Sequence, residues 1–205
     1  SGNDTVTFAG DATYVGVAGA TGTIVISTGT GNDTISLTHG QLLANTTSQT
    51  ATITGGAGAD TISGDDGNDT IDGGAGNDVL SGGAGVDAIT ASAGNDNVSG
   101  GDGNDTFTFA ANLTFDDTVS GGDGTDTISA SGTVADISFL NVTSVETVTI
   151  SAGSTVLTLG ARAQAAGVAT VNGSSSADSV DASALTSAIT FVESSVADTA
   201  DTVTG

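Results

Sequence analysis

Cysteine, proline, methionine, tryptophan and lysine are all missing from the 205 residues, and Arg162 and His39 are the sole basic side chains. Without cysteine there are no disulfides and no thiolate metal sites, and the redox compartment cannot be read. One arginine against 24 acids gives a formal charge of −23. Such a chain cannot hold nucleic-acid phosphates or anionic lipid, so neither partner is expected, and its natural counter-charges are cations in solution. No apolar run approaches the roughly 20 residues that span a bilayer, so no membrane insertion is expected, and no signal peptide is visible. Large side chains are scarce, with six Phe and one Tyr, which favours thin layers or a narrow core over a broad interior. Catalytic equipment is scarce too: there is no H-E-x-x-H and no G-x-S-x-G. His39 reads as a loop residue, and nothing in the sequence brings Glu146 and Glu193 together as an acid–base pair. The D-x-[DN]-x-[DN]-G loop of an EF-hand is not met in Asp65–Asp72. The chain is not expected to be an enzyme.

What is present is a repeat. Cut into nines from Gly55, the sequence reads GGAGADTIS, GDDGNDTID, GGAGNDVLS, GGAGVDAIT, ASAGNDNVS and GGDGNDTFT, ending at Thr108. Every copy has Gly at position four, Asp at six and an apolar residue at eight, and this regularity argues against disorder in a Gly-rich acidic chain. Looser copies occupy Gly121–Ser129 (GGDGTDTIS) and Thr28–Ser36 (TGTGNDTIS), and position eight stays apolar at Ile53. Residue 1 falls inside a motif copy and the chain stops just after another (Asp201-Thr-Val), so a piece of something longer is expected.

Each half of the nonapeptide has a physical role. Glycines allow positive φ and close backbone approach, so the first half is a tight turn. Thr-Ile-Ser is a three-residue strand whose central side chain points inward. Two units make one coil of eighteen residues around a core one side chain thick, and stacked coils pair as parallel strands about 4.8 Å apart. Asp60, Asp78 and Asp96 then form one column, and Asp69, Asp87 and Asp105 the opposite one. Neighbouring carboxylates at that spacing repel by roughly 3.5 kcal/mol at an effective dielectric near 20. A few such pairs rival the ~5–15 kcal/mol net stability of a domain. A hard dication with oxygen ligands answers this, and carboxylates with turn carbonyls suit Ca²⁺ better than Mg²⁺.

These nonapeptides match G-G-x-G-x-D-x-U-x, and the segment resembles the RTX (hemolysin-type) repeats of bacterial proteins exported by type I secretion. The resemblance implies an all-β fold, a right-handed parallel β-roll or β-helix solenoid stabilised by calcium. It also implies that each ion takes carbonyls two and four plus the Asp of one repeat, and carbonyls one and three plus the Asp of the repeat one coil later. Carried onto this chain, a first site comprises Gly56, Gly58, Asp60, Gly73, Ala75 and Asp78. A second comprises Asp65, Gly67, Asp69, Gly82, Ala84 and Asp87. A third uses Gly74, Gly76, Asp78, Ala91, Ala93 and Asp96, with Ala91-Ser92 in place of Gly-Gly. A fourth uses Gly83, Gly85, Asp87, Gly100, Asp102 and Asp105. A fifth, from Gly101, Gly103, Asp105, Gly121, Asp123 and Asp126, requires Phe109–Ser120 to bulge without breaking the stack. About four to five Ca²⁺ ions are thus implied.

Outside the block the pattern decays. Asp33 has Ala51 one coil later, so it reads as a capped turn, as do Asp4, Asp178 and Asp201. Asp116 and Asp117 lie outside the columns and are candidates for metal at contacts between copies. V-A-D-I-S-F, V-T-S-V-E-T-V-T-I and S-T-V-L-T-L, from Val134 onward, alternate as solenoid strands without metal turns. Leu159–Gly167 and Gly40–Asn45 read as short helices, with Arg162 pairing an acid or a helix C-terminus. The expected organisation is a degenerate β-solenoid over 1–54, a calcium-binding β-roll over 55–129 and a metal-poor continuation over 130–205. The composition resembles RTX-bearing S-layer proteins, in which the solenoid is the building material. That implies an extracellular, cell-surface structural protein in a homo-oligomeric lattice, with cell-surface polysaccharide bound through parts not present here. The tail of a secreted toxin, protease or lipase, or part of a surface adhesin, remains the alternative.

Overall fold

The computed structural model describes residues 5–8, 23–37, 50–110, 113–151, 155–192 and 202–205. Within them every paired strand is parallel to its neighbours, and the chain winds as a β-solenoid. A first sheet stacks Thr5–Phe8, Thr34–Leu37, Thr61–Asp66, Val79–Ala84, Asn97–Asp102, Thr118–Asp123 and Val142–Thr143 in chain order. The second stacks Thr23–Thr30, Thr50–Ala57, Thr70–Ala75, Ala88–Thr90, Thr106–Ala110, Thr127–Ala130, Thr147–Ile150, Thr170–Asn172 and Thr190–Val192. Most ladder strands outlast the Thr-Ile-Ser triplet, because pairing continues into the Gly-Gly pair of the next unit, as in Gly56 with Gly74.

Register explains the repeat. Ile62, Leu80, Val98, Val119 and Val142 are successive partners in the first sheet. Ile53, Ile71, Ile89, Phe107, Ile128, Val148 and Val171 are successive partners in the second. All are buried. Position eight therefore builds a core two side chains across, each fully buried aliphatic contributing about 1.5–3 kcal/mol.

Coil length is less uniform than the eighteen expected. Within the main block it is 18 residues, but Asp33 stacks on Asp60 after 27 residues and Asp96 on Asp117 after 21. The segment Phe109–Ser120 is absorbed without breaking the stack. Thr106–Ala110 shifts register between Thr108 and Ala110, and Phe109 and Leu113 fill the wider coil as buried residues.

Beyond Ala130 the cross-section changes. A third sheet appears, from Thr133–Val134, Val156–Thr158, Ser179–Asp181 and Thr202–Thr204. The first sheet stops at Val142–Thr143, and the helix Ala161–Ala166 covers its edge with Ala163 and Ala166 buried. Leu159–Gly167 is thus helical as the sequence suggests, whereas Gly40–Asn45 lies outside the described residues, as do His39, Asp4, Asp201 and Glu193. V-A-D-I-S-F is not one strand: after Thr133–Val134 it turns into a 3₁₀ helix, Asp136–Phe139. The reason is Asp136, whose Oδ1 accepts the N–H groups of Gly160, Arg162 and Ala163, capping the helix of the next coil. Arg162 also pairs with Asp136 at 3.4 Å, an exposed contact of small energetic weight. No helix among the described residues is long and apolar enough to cross a membrane.

Candidate metal centre

The two turns of each coil carry the aspartates in two columns, and each carboxylate is held in the same way. Oδ1 reaches down the stack and accepts the backbone N–H of the residue one coil earlier. Asp60 takes that of Asp33 at 2.8 Å, Asp78 that of Asp60 at 2.9 Å and Asp96 that of Asp78 at 2.9 Å. On the other side Asp69 takes the N–H of Ala51, Asp87 that of Asp69, Asp105 that of Asp87 and Asp126 that of Asp105. The second oxygen is left over. Oδ2 of Asp60, Asp69, Asp78, Asp87, Asp96, Asp105 and Asp126 is buried with no hydrogen-bond partner. A buried acceptor of this kind costs about 1–3 kcal/mol, more if charged.

Backbone oxygens gather around these orphans. A Cβ on Gly55 would collide with both Asp60 Oδ2 and the Gly73 carbonyl of the next coil, and Gly64, Gly82, Gly100 and Gly121 stand in equivalent cradles. Position one is therefore glycine because the space beside it belongs to oxygen. The carbonyls of Gly56 and Gly58 point up the stack against Gly74 and Gly76, which hold φ of +91° and +150° to let them approach. Ala75 turns its carbonyl down to accept the Gly58 N–H at 2.8 Å. The residues of the first site thus line one gap between coils. The same holds for the second, where the Asp65 and Gly67 carbonyls face Gly83 and Gly85, a Cβ on Gly64 would collide with both Gly82 O and Asp69 Oδ2, and Ala84 O accepts the Gly67 N–H. It holds again for the fourth and fifth, with Gly100 beside Asp87, Gly121 beside Asp105, and Asp102 and Asp123 accepting from Gly85 and Gly103.

The third gap differs. A Cβ on Gly73 would meet Asp78 Oδ2 at 2.5 Å and Leu80 Cδ1 at 3.1 Å, whereas a carbonyl oxygen stands among the atoms nearest a Cβ on the position-one glycine of the other cradles. Ser92, in place of the second glycine, is forced to φ +55°, although Gly76 still donates to the Ala93 carbonyl at 2.9 Å.

Burial raises the acids above the ordinary carboxylate range. Asp87 and Asp96 are pushed up to about 6, chiefly by loss of solvent and further by facing aspartates, while backbone donors pull the other way. Asp69, Asp78, Asp105 and Asp126 move in the same direction for the same leading cause. The metal-free gap thus resists ionisation, and a hard cation is the complement of its all-oxygen lining. No cluster of three or more acidic or imidazole side chains forms among the described residues, because backbone carbonyls supply most of the oxygens.

Three acids stand elsewhere than the sequence suggests. Asp33 is paired, stacking on Asp60 rather than on Ala51, because its coil is longer by one nonapeptide. Its turn has Thr28 at position one, and that hydroxyl donates to the Gly55 carbonyl at 2.9 Å, filling the place a glycine leaves open above. Asp117 is buried in the Asp96 column, accepting the Asp96 N–H, so it cannot reach another copy; Asp116 is exposed. Glu146 ends the other column, its Oε2 accepting the Asp126 N–H at 2.8 Å. Asp178 does cap its turn, taking the N–H and Oγ of Ser174 on one oxygen and the Thr155 N–H on the other.

A family model described as the RTX calcium-binding nonapeptide repeat (4 copies) matches residues 47–80, 81–111 and 113–132. Neither the curated proteins nor the solved structures give a match.

Proposed function

From a chain that carries RTX calcium-binding nonapeptide repeats between residues 47 and 132, we propose a structural calcium-binding component of a bacterial surface layer, which folds and self-assembles outside the cell. RTX repeats bind Ca²⁺, and proteins bearing them are typically secreted. The observation that carries the reading is the row of buried, partnerless Oδ2 atoms facing carbonyl-lined gaps. Bound in those gaps, calcium supplies the positive charge that the chain itself lacks.

The chain's own atoms do the rest. Each Oδ1 is anchored to the coil below, so each Oδ2 is presented to the gap above before any ion arrives. The five sites from Asp60–Asp78 to Asp105–Asp126 are assigned on that pattern, with the third weakened by its Ala91-Ser92 turn. Extracellular modules of this kind bind at about 10⁻⁴–10⁻³ M. At ten times Kd each site adds roughly 1.4 kcal/mol, so four add about 5–6 kcal/mol, enough to switch a marginal domain. Low cytosolic calcium then leaves the block unfolded for a narrow type I channel, and exterior calcium folds it.

A lattice role rather than an appended tail is supported by the unbroken second sheet. It runs from the metal turns into metal-poor strands as far as Thr190–Val192, so the solenoid makes up most of the described chain. The test is electron microscopy of the purified full-length protein. Millimolar calcium should yield ordered two-dimensional sheets, and soluble monomers at that concentration would favour the tail of a secreted toxin, protease or lipase.

A further inference from the structure

The last orphan on the ladder faces a gap that the nonapeptide pattern does not close. Asp126 is fully buried, its Oδ1 accepts the Asp105 N–H at 2.8 Å, and its Oδ2 has no hydrogen-bond partner. One coil later there is no aspartate and no glycine turn. Val119 pairs with Val142 and Thr127 with Thr147, so Ser144-Val145-Glu146 spans what Gly121 to Asp126 spans below. The short turn nonetheless rebuilds the cradle. Ser144 takes φ +53°, and a Cβ on Gly121 would collide with both its carbonyl oxygen and Asp126 Oδ2. Glu146, one carbon longer than aspartate, reaches back so that Oε2 accepts the Asp126 N–H at 2.8 Å, the bond that Oδ1 makes throughout the ladder. Below the gap, Gly122 and Gly124 hold φ of +113° and +144°, as do the glycines whose carbonyls face upward in earlier coils.

We infer that the gap between Asp126 and Glu146 is a further calcium site, built outside the nonapeptide pattern from Asp126 Oδ2, the Ser144 carbonyl, the Gly122 and Gly124 carbonyls and the Glu146 carboxylate. The inference rests on the calcium-binding reading of the ladder, not on the surface-layer role. The lining is all oxygen with two carboxylates, which selects a hard dication tolerant of irregular geometry. Three residues replace six in the upper turn, so fewer carbonyls reach the gap and water completes the shell. This makes it the weakest site of the series and the last to fill. Its position also gives it a task. The Glu146 carbonyl accepts the N–H groups of Ala169 and Thr170, and the Val145 N–H donates to Ala166. The turn that closes the ladder is therefore the floor of the helix-bearing coil, and filling the gap ties the metal-bound roll to the metal-poor section.

The test counts ions on the intact chain by native mass spectrometry across a calcium titration, comparing wild type with Glu146→Gln. Glutamine keeps an oxygen for the Asp126 N–H and removes the charge. The expected result is one ion fewer, or a last binding step weakened at least tenfold, with the earlier steps unchanged. An unchanged count with an unchanged last step overturns the site. A second measurement needs no binding-site variant, because Glu146 and Glu193 are the only glutamates. With ¹³C-carboxyl glutamate, the Glu146 signal, assigned through Glu193→Gln, should move in the last calcium step after the β circular dichroism is complete. A Glu146 signal that stays still in that step overturns the site as well. Either failure leaves sheet formation by the wild type untouched, so the surface-layer reading stands or falls separately.

Discussion

The roll over 55–129 and the section beyond it face the same problem and solve it differently. Both stack parallel strands whose turns bury a carboxylate that accepts a backbone N–H from the coil before. In the roll, the second oxygen is left open beside a position-one glycine, as at Asp60, Asp69 and Asp87. At Asp178, Ser174 closes it through both its N–H and its hydroxyl. Asp117 shows the exception inside the roll: Thr114, three residues earlier, donates its N–H and its hydroxyl to Oδ2. At Asp117 and Asp178 a hydroxyl residue three or four places earlier closes the carboxylate within its own turn. At Asp60, Asp78 and Asp87 glycine and alanine hold those places, and the oxygen stays open to an ion.

The largest effect that can break this comparison is chelation. Removing calcium takes away about 5–6 kcal/mol from four sites at ten times Kd, and only the roll should feel it directly. Hydrogen exchange in excess EDTA should show amides of 61–108 losing protection, while those of 170–172 and 179–181 keep more of theirs. Equal loss in both regions would mean that the hydroxyl-closed turns depend on the metal too. Strong β circular dichroism with full protection of 61–108 in EDTA would remove the need for an ion altogether.

Acidification should act with opposite signs with and without the metal. In the metal-free roll Asp87 and Asp96 are pushed up to about 6 by burial and facing carboxylates, against an unfolded value of 3.8. The folded coil therefore binds more protons than the unfolded chain between those values. Their contribution is fully present below about 3.8 and is lost as pH rises through about 6. In EDTA, lowering the pH from 7 to 4 should restore β signal and raise the melting temperature. With calcium near its Kd, protons compete for the same oxygens, so lowering the pH from 7 to 5 should depress the melting temperature. A shift of the same sign in both conditions would show that burial of these two carboxylates does not govern the roll.

How much of this was written in the sequence varies with the turn. Wherever Gly-Gly-x-Gly-x-Asp recurs, register, core and column follow, because glycine spacing sets the coil and position eight sets the face. Where the turn lacks glycine, period and column part company. Asp117 and Glu146 join the columns through coils of 21 and 20 residues, and nothing local to T-F-D-D or S-V-E marks them as such. The 27-residue coil hides Asp33's partner in the same way, since an inserted nonapeptide of degenerate sequence keeps the frame but shifts the column. Asp136 is harder still, because the helix it caps lies 24 to 27 residues away. The bond from a carboxylate to the N–H of an earlier or later coil is chemistry between coils, and sequence periodicity sees it only when both coils repeat.

The smallest effect sharpens the boundary between an open gap and a compromised one. Ser92 stands where the other ladder turns have a position-two glycine or Asp65, and it is held at φ +55°, a conformation costing an L-residue roughly 1–2 kcal/mol. Ser92→Gly removes that strain, and part of the gain is offset by the greater freedom of glycine in the unfolded chain. The net expectation is about 1 kcal/mol of stabilisation at saturating calcium, read as a raised urea midpoint at unchanged m-value. The same change should lower the calcium midpoint of folding, because a position-two glycine lets the turn of the third gap take the positive-φ conformation of its neighbours without strain. If stability rises while the calcium midpoint stays fixed, the turn is strained but its gap is already competent. If both move, the departure from Gly-Gly at Ala91-Ser92 is what sets this gap apart from its neighbours in the roll.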